Sequence, residues 1–264
     1  MPFPEVKRVI YKKNPLHQVI CQLRFPPILK VDAEIPSIFQ EKIRGEFPNF
    51  KETTEVNMEL PEGIKGQIPL PLISHLAKPT SNKNFEFSSE DNTWKINLTR
   101  TFIAITCNKY HRWEEFKDKF QKPLKIFTEI YSPSYYSRIG LRYIDVIKRS
   151  VLGLQNSNWS ELLQPYVLGL LSSSDIEQQI EDFINTYEIN LSDGESNVRI
   201  LTRFIEFDKN GEKCFTIDSD FHCTKKIEIN NAMGKLDFFN ERATRLIQWC
   251  ITEKLHKSME PQKI

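Results

Sequence analysis

The chain has 264 residues, 36 Lys and Arg against 35 Asp and Glu for a formal net charge of +1, and 39% hydrophobic and 11% aromatic residues. That composition excludes a disordered chain, offers no global field for nucleic acid or an anionic membrane, and allows one large domain or two modest ones with a substantial core. No apolar run approaches the roughly eighteen residues of a membrane span, and the opening MPFPEVKRVIYKKNPL lacks the apolar stretch of a signal peptide, so the expected location is the cytoplasm.

In chain order, HQVICQLRFPPIL mixes β-branched and apolar residues and stops at Pro26 and Pro27, the pattern of a strand closed by a turn. DAEIPSIFQEKIRGEFP sets Ile35, Ile38, Phe39 and Ile43 at helical spacing, with Pro36 near the first turn and Pro48 beyond the end, which predicts a short amphipathic helix. Eleven of the fifteen prolines lie within the first 79 residues, so long helices are not expected there, and residues 61–84 read as an extended connection. FEFSSED, TWKINLTR and TFIAITCNKY then predict an antiparallel meander, with SEDN able to turn a hairpin.

RWEEFKDKFQKPLKIFTEIY spaces Trp113, Phe116, Phe120, Leu124, Phe127 and Ile130 by threes and fours, one apolar stripe along a helix that Pro123 is expected to kink. YYSRIGLRYIDVIKR reads as a strand. Residues 150–175 mix Gly, Ser and Asn with a short helical pattern at Leu162, Leu163, Tyr166 and Leu170, and form the candidate boundary between two halves. DIEQQIEDFINTYEINL fits either period, with a strand favoured for its latter part because the turn SDGES and the strand VRILTRFIEF follow. DKNGEK supplies a hairpin turn at Asn210 and Gly211, leading into CFTIDSDFHC. GKLDFFNERATRLIQWCITEKLHKSM predicts one long helix with Leu236, Phe239, Ala243, Leu246, Ile247 and Cys250 inside and Glu241, Arg242 and Arg245 outside.

This order predicts an α+β protein: antiparallel sheets packed under long amphipathic helices, in two halves alike in outline, 1–150 and 151–264. Five cysteines, at 21, 107, 214, 223 and 250, are odd in number and scattered; reduced, mostly buried thiols are expected, with neither a disulfide framework nor a C-x-x-C zinc site.

The densest chemistry is CFTIDSDFHC. Alternation places Phe215, Ile217, Ser219, Phe221 and Cys223 on one side and Cys214, Thr216, Asp218, Asp220 and His222 on the other. At roughly 3.3 Å per residue Asp218 and His222 stand about 13 Å apart, too far to share an ion whose ligands lie about 2 Å away. Asp218 and Asp220 could still hold a hard cation with help from another strand. RIGLRYIDVIKR offers Arg138, Arg142, Asp145 and Lys148 for phosphate or for pairing across a sheet. The candidate polar binding face therefore joins Asp218, Asp220 and His222 to Arg142 and Asp145. His17, His75, His111 and His256 show no zinc-protease or deaminase spacing, and phosphate loops, dinucleotide fingerprints and nucleophile elbows are missing from the sequence. No catalytic residue, metal or cofactor is assigned.

VIYKKNPLHQVICQLRFPPIL followed by IPSIFQEKIRGEFP resembles the opening of an uncharacterised, sporadically distributed prokaryotic family of proteins about this long, in which Asn-Pro-Leu precedes a strand ending Leu-Arg-Phe-Pro and then a Phe-Gln helix. WKINLTRTFIAITCNKYHRWEEF, SRIGLRYID and IDSDF extend the resemblance over most of the chain. It implies no activity, only a soluble prokaryotic protein whose patchy distribution suits an accessory role in a mobile element or in phage defence. The first expectation is thus a non-enzymatic binding or interaction protein with a protein partner or a second copy of itself, acting through an open sheet face or a sheet–helix groove. An enzyme or small-ligand sensor with an acidic site around Asp218 and Asp220 is the alternative, and a nucleic-acid-binding protein the second alternative.

Overall fold

Runs that alternate apolar and polar residues become strands, because successive side chains on an extended backbone point to opposite faces. The computed structural model describes residues 2–56, 79–173, 175–206 and 211–263. Its strands are β1 (Val9–Tyr11), β2 (Leu16–Arg24), β3 (Asn49–Val56), β4 (Pro79–Ser88), β5 (Trp94–Leu98), β6 (Phe102–Cys107), β7 (Arg138–Ile147), β8 (Ile184–Asn190), β9 (Ser196–Glu206), β10 (Lys213–Cys223) and β11 (Pro261–Lys263). Nine of them form one antiparallel sheet in the order β3-β4-β5-β6-β2-β7-β10-β9-β8. The meander β3 to β6 steps inward from one edge to β2, and β8 to β10 step inward from the other edge to β7.

The spans before and after residue 150 therefore share a continuous sheet. Its central pair, β2 and β7, runs in register from Arg24 opposite Arg138 to Leu16 opposite Asp145, with an irregularity between Leu16 and Gln18. Such a bulge re-aims side chains locally.

Helices α1 (Lys30–Ala33), α2 (Ser37–Ile43), α3 (Trp113–Tyr131), α4 (Ala232–Cys250) and α5 (Glu253–Ser258) complete the elements that position the site. The apolar stripe of α3 meets one sheet face, with Phe116 5.6 Å from Trp94 between ring centres and Phe127 4.8 Å from Phe25. On α4, Leu236, Phe239 and Leu246 are buried over the same face, Phe239 lying 6.4 Å from Phe221. Each such ring or Leu taken fully from water contributes about 1.5–3 kcal/mol. The row Ile139, Leu141, Tyr143, Asp145 and Ile147 of β7 points into this layer and is buried throughout.

Several expectations are met: the meander of β4 to β6, the strand over 184–190, and five free, buried cysteines. Others need correction. The predicted C-terminal helix is two, because the chain leaves helical geometry at Ile251 and Thr252 caps α5, its hydroxyl accepting from the Leu255 amide. Arg242 and Arg245, expected outside, are 6% and 9% exposed. The Arg242 guanidinium lies 3.3 Å over the Phe238 ring, and Arg245 pairs with Glu241 and Glu5, so each buries its stem while its charge is met. On α2 only Phe39 and Ile43 are buried, whereas Ile35 and Ile38 are 58% and 60% exposed, since seven residues of helix present only one narrow side to the sheet. Helix α3 runs through Pro123, which is itself buried. The Asn210 half of the expected hairpin and most of the 61–84 connection lie outside the described residues; the part from Pro79 is strand β4.

The two ends of the chain meet over α4. β1 pairs with β11, Val9 opposite Lys263 and Tyr11 opposite Pro261. Phe3 packs 5.4 Å from Trp249, and Gln248 Nε2 donates to the Lys7 carbonyl at 3.1 Å. The strap so formed returns through Asn14 and Pro15 into β2.

Candidate functional site

Arg142, Asp218, Asp220 and His222 stand together on the sheet face away from α3 and α4, as alternation predicts. They mainly satisfy one another. Arg142 Nε donates to Asp218 Oδ1 at 2.7 Å and its Nη2 to Oδ2, a bidentate pair. Arg138 Nη2 donates to Asp220 at 2.7 Å, and His222 Nε2 lies 3.4 Å from Glu188. A Cβ on Gly140 would stand 2.3 Å from Arg138 Nη1, so a side chain there would displace that guanidinium from Asp220. Among the described residues no group of three or more His, Cys, Asp or Glu side chains is placed to hold a metal ion.

Asp145 departs from this set. It lies three residues from Arg142, and an odd offset on a strand sends a side chain to the opposite face. Its carboxyl enters the helix-covered layer, 5% exposed, opposite Ile217 of β10 and Leu16 of β2. No hydrogen bond or ion pair reaches it from the described residues.

It opens instead on a partly open cavity of about 90 Å³. Tyr143 and Asp145 of β7 with Ile217 and Ser219 of β10 make the floor, Asn240, Ala243 and Leu246 of α4 one wall, Tyr110 and Trp113 another, and the strap from Arg8 to Leu16 the roof. The mixture of apolar wall with few polar groups is that of small-molecule sites.

Burial, and secondarily the charge of Asp218 through the sheet, push the Asp145 carboxyl up to about 7. Burial likewise raises the hydroxyls of Tyr11, Tyr110 and Tyr143 and the Cys250 thiol, which leaves these groups neutral and unactivated. The Tyr11 hydroxyl is hydrogen-bonded to His256 Nδ1 at 2.8 Å, and Asn240 Nδ2 donates to the Tyr143 hydroxyl at 2.8 Å. The basic side chains that line the cavity have partners elsewhere: Arg8 in Glu114 at 2.6 and 2.8 Å, and Arg112 and His111 in Glu115 at 2.8 and 3.2 Å. What the arrangement can do is hold a small molecule against aromatic walls over one unmatched carboxyl.

Sequence reasoning did not find Tyr11, Tyr110, Tyr143 or Asn240 as lining residues. One signal was present: Asp145 is the lone acid in the row Ile139, Leu141, Tyr143, Ile147, where every neighbour two residues away is made for a core. In comparison with known proteins, the chain matches no family model and no curated protein sequence.

Proposed function

We propose that this chain is a non-enzymatic binding protein whose ligand is a small molecule held in the groove between the sheet and α4. The observation that carries the reading is Asp145: its carboxyl is 5% exposed, receives no hydrogen bond or ion pair from the described residues, and faces the cavity, where burying a charge without a partner is costly. The thiol and phenols around it are held in their neutral forms, so they offer no activated nucleophile beside the carboxyl. The opposite face supports the reading less, because Arg142, Arg138, Asp218 and Asp220 are spent on one another.

Finer expectations travel with this proposal. The inward-stepping meanders on either side of β2 and β7 support a duplication of one ancestral half. The resemblance to a patchily distributed prokaryotic family supports an accessory role, in a mobile element or phage defence, for such a binder.

Native mass spectrometry of the protein purified from its own cells tests the reading. The wild type is expected to carry a small-molecule mass that Ala243→Leu, which fills the cavity from α4, does not retain. Protein of bare chain mass in both forms counts against the cavity, and a two-chain mass or a co-purifying macromolecule moves the function to the open sheet face.

A further inference from the structure

Resting on the cavity as the binding site, we propose that its occupant is an organic cation, a primary amine with an apolar or aromatic body, whose ammonium group sits on Asp145.

Four other acids show what Asp145 lacks. Glu177, comparably buried, accepts from the backbone amides of Trp159 and Ser160 and from the Ser160 hydroxyl. Asp193 accepts from Lys235, Ser196 and two backbone amides, Asp237 from Lys117 and Trp113, and Asp218 from Arg142. Asp145 has neither cation nor amide donor, and it is the one acid on the cavity floor. Among the described residues lining the space, Arg8 and Arg112 are paired to glutamates at the rim, away from Asp145. A carboxyl under aromatic walls, Tyr11, Tyr110, Tyr143 and Trp113, is instead the environment that favours an ammonium group, by direct pairing and by the negative faces of the rings. Asn240, whose amide already orients the Tyr143 hydroxyl, lines the wall next to them.

Occupancy by a cation couples to protons. The ionisable groups facing Asp145 are Asp218 across the sheet, Tyr11 from the strap and Cys250 from α4, with Glu253 and His256 of α5 beyond Tyr11. Seating an ammonium group requires the carboxylate form, so affinity rises with pH until Asp145 is ionised: between pH 5.5 and 8 a carboxyl titrating near 7 gives a gain of about 30-fold.

Isothermal titration of phenethylamine, its uncharged analogue 2-phenylethanol and the anion 3-phenylpropionate tests the assignment. The wild type is expected to prefer phenethylamine to 2-phenylethanol by at least about tenfold at pH 8, a single charged contact's worth, to bind the anion least, and to gain affinity for the amine from pH 5.5 to 8. Asp145→Asn, confirmed as folded by its circular dichroism, loses both the preference and the pH dependence. Equal binding of amine and alcohol, or tighter binding of the anion, with Ala243→Leu still blocking it, overturns the cation and leaves the cavity standing. Failure of all three probes also overturns the cation, and the retained-mass experiment then decides the cavity independently. A preference that survives in Asp145→Asn overturns Asp145 as the seat.

Discussion

At position 145 the acid dissociation of one side chain is set against the fold. An unfolded Asp titrates near 3.9, and in the native chain burial moves Asp145 up to about 7. Between those values the folded protein holds a proton that the unfolded chain has released, so the empty protein loses stability as pH rises through this window and levels off above it. At about 1.4 kcal/mol per pH unit the loss is at most on the order of 4 kcal/mol. Urea denaturation of Asp145→Asn beside the wild type is expected to show near-equal stability at pH 4 and a more stable variant at pH 8. A variant less stable than wild type at pH 8 would mean that the carboxylate has a structural partner. Opposite, Asp218 is 12% exposed beside an Arg142 side chain that is 45% exposed, and this pair, though bidentate, is in contact with water and contributes at most about 1 kcal/mol. The alternation that separates these two acids onto different faces was readable in the residues; which of the two was left without a partner was not, since the partner is chosen by other strands.

Helices α3 and α4 are linked within their N-terminal halves. Trp113 Nε1 donates to Asp237 Oδ1 at 2.7 Å, and Lys117 Nζ reaches both oxygens at 3.0 and 2.8 Å. Trp113 is buried, so its indole N–H has no ready replacement in water. Asp237→Ala is expected to cost about 1–3 kcal/mol, measured as a fall in the urea midpoint, while Asp237→Asn, which keeps an acceptor oxygen, costs less. Equal losses in the two variants would mean that the lysine pair, not the indole, carries the link. Both helices are visible as apolar stripes in the sequence. The break at Ile251 is not, because Leu255 and Met259 continue the periodic pattern while Thr252, a good cap, interrupts the backbone. The reversal of Arg242 and Arg245 has the same origin: a helical wheel assigns charge to the outside, but Glu5 comes from the far end of the chain and the Phe238 ring offers a cationic seat.

Across the whole molecule, stability is expected to be graded from the central strands to the strap. β2, β7 and β10 are paired on both sides, whereas β1 and β11 are three-residue strands paired only with each other. A pair of that length is marginal by itself and opens locally. In amide hydrogen exchange the strap should exchange first and β7 last, and saturating phenethylamine should slow the strap at residues 9–11 more than the open sheet face; protection of the strap equal to that of β7 in the empty protein would exclude it as the way into the cavity. The sequence by itself determined the elements that rest on local periodicity: the meander of β4 to β6, strand β7, the two-sided β10 and the apolar stripes of α3 and α4, because alternation and three-to-four spacing involve only near neighbours. Only the tertiary structure decided that β2 and β7 would meet at the centre of one sheet, that both chain ends would close over α4, and that Asp145 would face the enclosed space. Those outcomes depend on contacts between residues as distant as Val9 and Lys263, whose pairing is fixed by the burial of the whole sheet and not by any pattern within either segment.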